Sequence, residues 1–161
     1  MGAYRSIIRL MTENVDKERK SSLVGAIILV VDDDEATRGL YTRVFTEWGA
    51  KVTTVTHGAE ALEILKEKMG ESPFDLIITD WERPGDTING PELLRRIARL
   101  ALAKKTPTLL ASARFTDRTE IIGAIRQGAT AGLSKPFSLE ELQKTAESLI
   151  TASRQQSPSS T

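Results

Sequence analysis

Short apolar runs rich in β-branched residues alternate along the chain with segments whose apolar positions recur every three or four residues. The runs AIILVV (26–31), KVTTV (51–55), DLIIT (75–79), TPTLLA (106–111) and AGLS (131–134) read as strands. Residues 35–48, 58–69, 91–103, 117–128 and 139–150 carry helical spacing. Pro91 stands where a first helical turn tolerates it, Ser138 with Glu141 forms a capping box, and Gly49, Gly70 and Gly128 fall near helix ends. Strand and helix in strict alternation, five times over, predict an α/β fold. It is a (βα)₅ doubly wound, five-stranded parallel sheet with right-handed crossovers and helices on both faces.

The flanks break this pattern. Residues 1–25 space Tyr4, Ile7, Ile8, Met11 and Val15 as an amphipathic helix would, to pack on the domain or on a partner; a frayed extension is the alternative. The domain itself is expected over 26–150. The tail 151–161 is polar, contains Pro158 and has little to bury, so disorder is expected there.

Charge and composition narrow the function. The 22 basic and 22 acidic residues cancel, so no overall field favours nucleic acid or an anionic membrane. The basic positions of LRRIARLALAKK (94–105) read as the solvated side of a helix. The absence of cysteine excludes disulfides, thiolate metal sites and thiol catalysis, and is compatible with a reducing compartment. No apolar run approaches the roughly 20 residues of a membrane span, and the N-terminal stretch lacks the uninterrupted apolar core of a secretory signal. A soluble cytoplasmic protein is expected.

The informative chemistry lies at strand ends. In a parallel α/β sheet, ligands bind just outside the carboxyl ends of the strands. Strand one ends at Asp32 and Asp33, strand three at Asp80, strand four at Ser112 and strand five at Lys135. Three carboxylates, a hydroxyl and an ammonium are therefore expected on one edge of the sheet. Hard oxygen ligands in an accessible pocket suit Mg²⁺ (or Mn²⁺), with phosphate oxygens and water completing the shell.

The segments VVDDD, DLIITDWERPG with its later NG, SAR and GATAGLSKPF, in this order and at strand ends, resemble the receiver domains of two-component response regulators, a CheY-like (flavodoxin-like) family. The resemblance covers about residues 26–150. It implies that Asp80 is the phosphoacceptor, attacking a phosphohistidine on a sensor histidine kinase or histidine phosphotransfer protein. Asp32, Asp33 and Asp80 would hold Mg²⁺ together with the backbone carbonyl of Glu82. Lys135 and Ser112 would contact phosphoryl oxygens, and Pro136 would fix the backbone after the lysine through a cis bond. Asp34 falls outside the acidic pair and reads as a helix cap. His57 reads as loop chemistry, and Trp81 matches an aromatic common at that place.

Two departures from the family stand out, at Gly132 and in the loop after Asp80. Gly132 occupies the place of an aromatic that normally reports phosphorylation, so transmission is expected through loop 113–118 with Ser112 and Phe115. The glycine is also expected to leave a shallow place for a partner's side chain. The loop from Pro84 to Gly90 is slightly longer than usual. Glu82 and Arg114, two residues beyond Asp80 and Ser112, carry opposite charges, are expected to pair across the pocket, and would tune the lifetime of the phosphoryl group.

The leading expectation is a stand-alone receiver that signals by phosphorylation-dependent binding of a downstream protein or passes the phosphoryl group along a relay. It is a regulator rather than an enzyme, apart from self-phosphorylation from a donor and autodephosphorylation. A homodimer through the fourth and fifth helices or the N-terminal segment remains open. Two alternatives come from other classes. A receiver-fold scaffold would work independently of phosphorylation. A phosphohydrolase of the haloacid dehalogenase type is suggested by the D-x-D of Asp32 to Asp34, but PFSLEEL starts a helix where that family needs a further acidic motif, and Ala36 stands where it needs Thr or Val.

Overall fold

The five apolar runs pair into one parallel sheet, in the order β2-β1-β3-β4-β5. The computed structural model describes residues 23–67, 74–100 and 106–156. Its elements are β1 Ile27–Val31, α1 Glu35–Glu47, β2 Lys51–Val55, α2 Gly58–Glu67, β3 Leu76–Asp80, α3 Gly90–Arg99, β4 Thr108–Ser112, α4 Arg118–Arg126, β5 Ala131–Ser134 and α5 Leu139–Gln156. The chain winds outward from β1 to β2, then returns to lay β3 on the other side of β1. The reversal opens a crevice at the carboxyl ends of β1 and β3.

Period-two alternation sorts the strand residues between two cores. Ile28 and Val30 of β1, Leu76 and Ile78 of β3 and Leu109 of β4 face Tyr41, Val44 and Phe45 of α1 and Leu142, Ala146 and Ile150 of α5. Leu29, Val31 and Ile77 face the other way, onto Ala61, Leu62 and Leu65 of α2 and Leu93 and Ile97 of α3. A third cluster joins Leu94, Leu110, Phe115, Ala124 and Ala129 beneath α4. Continuous burial of β1, β3 and β4 explains their unbroken apolar runs. The edge strand β2 exposes Lys51, Thr53 and Thr54.

Helix starts follow the polar punctuation. The Asp34 carboxylate accepts from Thr37 N (2.8 Å) and Thr37 Oγ1 (2.6 Å) at the head of α1. Asn89 accepts from Glu92 N with Pro91 in the first turn of α3, and Asp117 accepts from Thr119 N and Glu120 N before α4. Ser138 N donates to Glu141 Oε2 (2.8 Å) while Glu141 N donates to Ser138 Oγ (3.1 Å), a complete capping box. Gly49 and Gly128 follow α1 and α4 with φ of +92° and +112°.

Two boundaries differ from the expectation. Helix α3 stops at Arg99 because Leu100 turns extended, and residues 101–105 lie outside the described residues. Helix α5 runs past 150 to Gln156, so residues 151–156 are helical rather than a disordered tail. Arg154, Gln155 and Gln156 are good helix formers despite their polarity, as is the small Ala152, and Arg154 Nη2 reaches Asp75 Oδ2 at 3.7 Å. The N-terminal segment 1–22, Gly70 and residues 157–161 lie outside the described residues. Among the described residues no helix is long and apolar enough to cross a membrane.

Candidate functional site

Strand parity decides which side chains meet at the crevice. Asp32 continues the Ile28–Val30 row, Asp80 continues Leu76–Ile78, and Lys135 continues Ala131–Leu133, the rows that face α1 and α5. Register does the rest. Val31 pairs Thr79, Asp80 pairs Ala111, and Ser112 pairs Ser134, so the residues ending these strands lie side by side. Backbone bonds extend the alignment: Asp32 N donates to Val55 O (3.1 Å) and Lys135 N to Ser112 O (2.9 Å).

Lys135 Nζ donates to Asp80 Oδ2 at 2.9 Å, closing a contact over 55 residues. Their side chains are 26% and 21% exposed, so the pair is reached by solvent but not awash in it. The Lys135–Pro136 peptide bond is cis, as expected. Asp32 is 3% exposed, and its Oδ1 accepts from Asp34 N (2.9 Å) while its backbone carbonyl accepts from Arg38 Nη1 (2.9 Å). Burial pushes the Asp32 carboxyl above its ordinary value; the Asp34 amide and Lys135 draw it down, whereas Asp80 and Asp33 raise it further. Asp33 lies beside it, half-buried. An acid raised by both burial and like charge is one that a cation would relieve.

The acids do not close on one point. Among the described residues no group of three or more His, Cys, Asp or Glu side chains is arranged to hold a metal alone. Asp80 Oδ2 is engaged by Lys135 and Asp32 Oδ1 by a backbone amide, which explains the looser arrangement. A donor set of hard oxygens, with carboxylates too few to form a cage, fits Mg²⁺, which takes one or two carboxylates and keeps water; it would not fit a softer metal.

Above Asp80 lies a second layer. Ser112 is 2% exposed and its Oγ accepts from Arg114 N at 3.0 Å. Glu82 N is 3.4 Å from Asp80 Oδ1. Arg114 Nη1 donates to Glu82 Oε1 at 2.7 Å, and its guanidinium carbon lies 5.6 Å from the centre of the Trp81 ring. The expected pairing across the pocket is therefore present. Both partners are more than half exposed, which makes it a surface ion pair sensitive to salt. Trp81 in turn meets the edge of Phe115, ring centres 5.8 Å apart.

Gly132 corrects one expectation. A Cβ at that position would meet Ile121 Cγ2 at 3.1 Å and Phe115 Cε2 at 3.2 Å, so no shallow place stands open to a partner's side chain. Phe115, itself buried, fills the space from the neighbouring loop. Asp34 is the cap it was read to be, and its engaged carboxylate weakens the D-x-D reading. His57 is exposed in the turn before α2, with its backbone N donating to Glu60 Oε1.

Sequence reasoning missed Arg83 and Asp86. The Arg83 side chain is fully buried beneath the β3–α3 loop, with Nε 2.8 Å from Asp86 Oδ2. The sequence signal was an opposite-charge pair three residues apart that flanks two turn residues, Pro84 and Gly85, with Asn89 following. Nothing local in that signal marks burial.

A five-stranded parallel sheet with acids at the ends of β1 and β3 and a lysine bound to the β3 acid defines a doubly wound α/β protein built around an anionic crevice bridged by one ammonium. Residues 28–147 match the model of the response regulator receiver domain, and the chain belongs to that family. It is 32% identical over 123 residues to the phosphate regulon transcriptional regulatory protein PhoB of Rhizobium meliloti, covering 76% of this chain and 51% of that protein. The sensor histidine kinase CheAY of Helicobacter pylori matches at 28% over 137 residues, 85% of this chain and 16% of the kinase. The chain thus spans about half or less of these curated relatives. Among solved structures, the Vibrio cholerae chemotaxis protein CheY4 superposes with a TM-score of 0.67 at 29% identity, covering 78% of this chain and 99% of that one. The receiver domain of the Francisella response regulator 1452 gives 0.69 at 27%, covering 80% and 98%.

Proposed function

We propose that Asp80 is a phosphoacceptor that takes a phosphoryl group from the phosphohistidine of a sensor histidine kinase or histidine phosphotransfer protein. The reading is carried by the 2.9 Å contact between Lys135 Nζ and Asp80 Oδ2. An ammonium already on the acceptor carboxylate lies where a transferred phosphoryl group would bring new negative charge. In the reaction an Asp80 oxygen forms a bond to phosphorus, the phosphorus–nitrogen bond breaks, and the imidazole leaves with the electron pair. Lys135 moves from the carboxylate to a phosphoryl oxygen as a compact charge. Ser112 Oγ turns to donate to another, giving up its bond from Arg114 N. Asp32, Asp33, Asp80 and the Glu82 carbonyl are the residues to hold Mg²⁺, which when bound neutralises phosphoryl charge.

Release of Arg114 N couples chemistry to loop 113–118. Phe115 belongs to that loop and its ring lies against Gly132, so the ring is the element that relays the change to α4 and to a downstream partner. The Glu82–Arg114 pair screens the pocket from water and lengthens the life of the acyl phosphate. Loss of phosphate should be faster in Arg114→Ala than in wild type, and the wild-type rate should rise with salt; a slower rate in the variant refutes the screening role. The central test is incubation with Mg²⁺ and a small acyl phosphate, followed by intact mass. A single phosphoryl adduct that Asp80→Asn abolishes supports the reading, and an adduct retained in Asp80→Asn overturns it.

A further inference from the structure

Arg83 is a cation buried without residue exposure at the floor of the β3–α3 loop, 0% exposed beside Asp86 at 3%. It makes four contacts in separate directions: Nε donates to Asp86 Oδ2, Nη1 to Thr79 Oγ1 and the Asp80 backbone carbonyl, and Nη2 to the Ile88 carbonyl. Asp86 completes the arrangement, accepting from Ile88 N with Oδ1 (3.0 Å) and from Gly58 N, the first residue of α2, with Oδ2 (2.8 Å). One guanidinium therefore joins the end of β3, the far side of the loop and, through Asp86, the head of α2.

Burying an ion pair is a poor way to gain stability, because apolar replacements of similar size are often as good or better. What such a pair supplies is fixed geometry. The Asp80 carbonyl is held from below by Arg83 at 3.1 Å, and Trp81 O accepts from Gly90 N at 3.0 Å. These two clamps hold the peptide groups on either side of Trp81, directly after the Asp80 side chain and directly before Glu82. We propose that Arg83, set by Asp86, is a positioning residue for phosphoryl transfer: it fixes the backbone of Asp80 to Glu82 so that the carboxylate and the Glu82 carbonyl keep the orientation the reaction needs. The proposal rests on Asp80 being the phosphoacceptor. The planar fork is essential to it, since Lys would place one ammonium where four acceptors lie in different directions.

The test measures the rate of adduct formation by intact mass, at saturating Mg²⁺ and across a range of acyl phosphate concentrations, in wild type, Arg83→Lys, Arg83→Met and the double variant Arg83→Met/Asp86→Asn. Removing charge from both partners avoids stranding one buried ion, so the double variant separates positioning from stability. Melting temperature and circular dichroism are recorded for each. The expected result is a maximal rate lower by about 10- to 100-fold in the double variant and in Arg83→Lys, as misplacement of a reacting group on the order of 1 Å produces. The loss should persist at temperatures far below each variant's melting point. Wild-type rates in the folded double variant, full rescue by Lys, or losses that vanish on cooling would each overturn the proposal while leaving Asp80 as acceptor. No adduct on wild type would overturn both.

Discussion

Filling the space over Gly132 from its own backbone, instead of from Phe115, perturbs the packing between β5 and the loop after β4. The Phe115 ring is 4% exposed and touches Trp81 edge to face, so Phe115→Ala removes a buried aromatic and should cost about 3–5 kcal/mol. Gly132→Leu adds atoms where even a Cβ lies 3.1 Å from Ile121 and 3.2 Å from Phe115, and overpacking of this kind costs about 1–3 kcal/mol. Both close neighbours are side-chain ends and can yield a few tenths of an ångström, which keeps the second penalty at the low end of that range. In the double variant the leucine enters the hole left by the ring, so each change relieves the other. The coupling should be favourable by about 1–3 kcal/mol, within the range found for residues in contact. Urea unfolding followed by tryptophan fluorescence and circular dichroism gives the four free energies, with Phe115→Leu replacing the alanine variant if the latter is too unstable to measure. Additivity within about 0.5 kcal/mol would refute the claim that Phe115 and Gly132 share one space.

Other consequences are equally direct. Burial pushes the Asp86 carboxyl up, but the bonds from Ile88, Arg83 and Gly58 outweigh it and hold the group below its ordinary value of 3.8. Its contribution to stability is therefore complete above that value and lost as pH falls through the lower, folded one. The stability gap between wild type and Asp86→Asn, read as urea midpoints, should narrow as pH drops below 3.8. A Cβ on Gly90 would lie 2.5 Å from the Asp80 carbonyl oxygen and 3.0 Å from Trp81 Cα, both main chain. Gly90→Ala should therefore displace the acceptor and cut adduct formation measured by intact mass. Asp34→Ala should lower the melting temperature through loss of the cap on α1 while leaving adduct formation unchanged, unlike Asp32→Ala or Asp33→Ala.

The parallel sheet was legible because β1, β3 and β4 are buried on both faces and need unbroken apolar runs, and because helix caps such as Asp34 and Ser138 act within four residues of chain. Asp32, Asp80, Ser112 and Lys135 could be placed at one edge because strand ends in a parallel sheet share a side. Their orientation followed from parity. What local pattern could not supply was tertiary compensation. Arg83 looks like a loop cation until Thr79, Ile88 and Asp86 are seen around it, and Gly132 looks like a gap until Phe115 arrives from another strand's loop. The helix to Gln156 escapes the pattern for a related reason: polar composition marks a lack of buried surface, although Arg and Gln favour helix.

The loop between Asp80 and Gly90 also bears on how sequences of this kind can change in length. Its two ends are fixed, one by the Arg83 guanidinium and the other by the close approach of Gly90 to the Asp80 carbonyl, while Pro84, Gly85, Thr87 and Asn89 face solvent. Chain entropy rises slowly with loop length, with each doubling costing only about 0.6 kcal/mol. Residues inserted at Gly85 or Thr87 would nonetheless separate Asp86 from Arg83 or from Ile88, so the limit on length here is set by these contacts and not by chain entropy. The stretch is one whose solvent-facing side chains can vary toward different partners while its length is held by the Arg83–Asp86 pair.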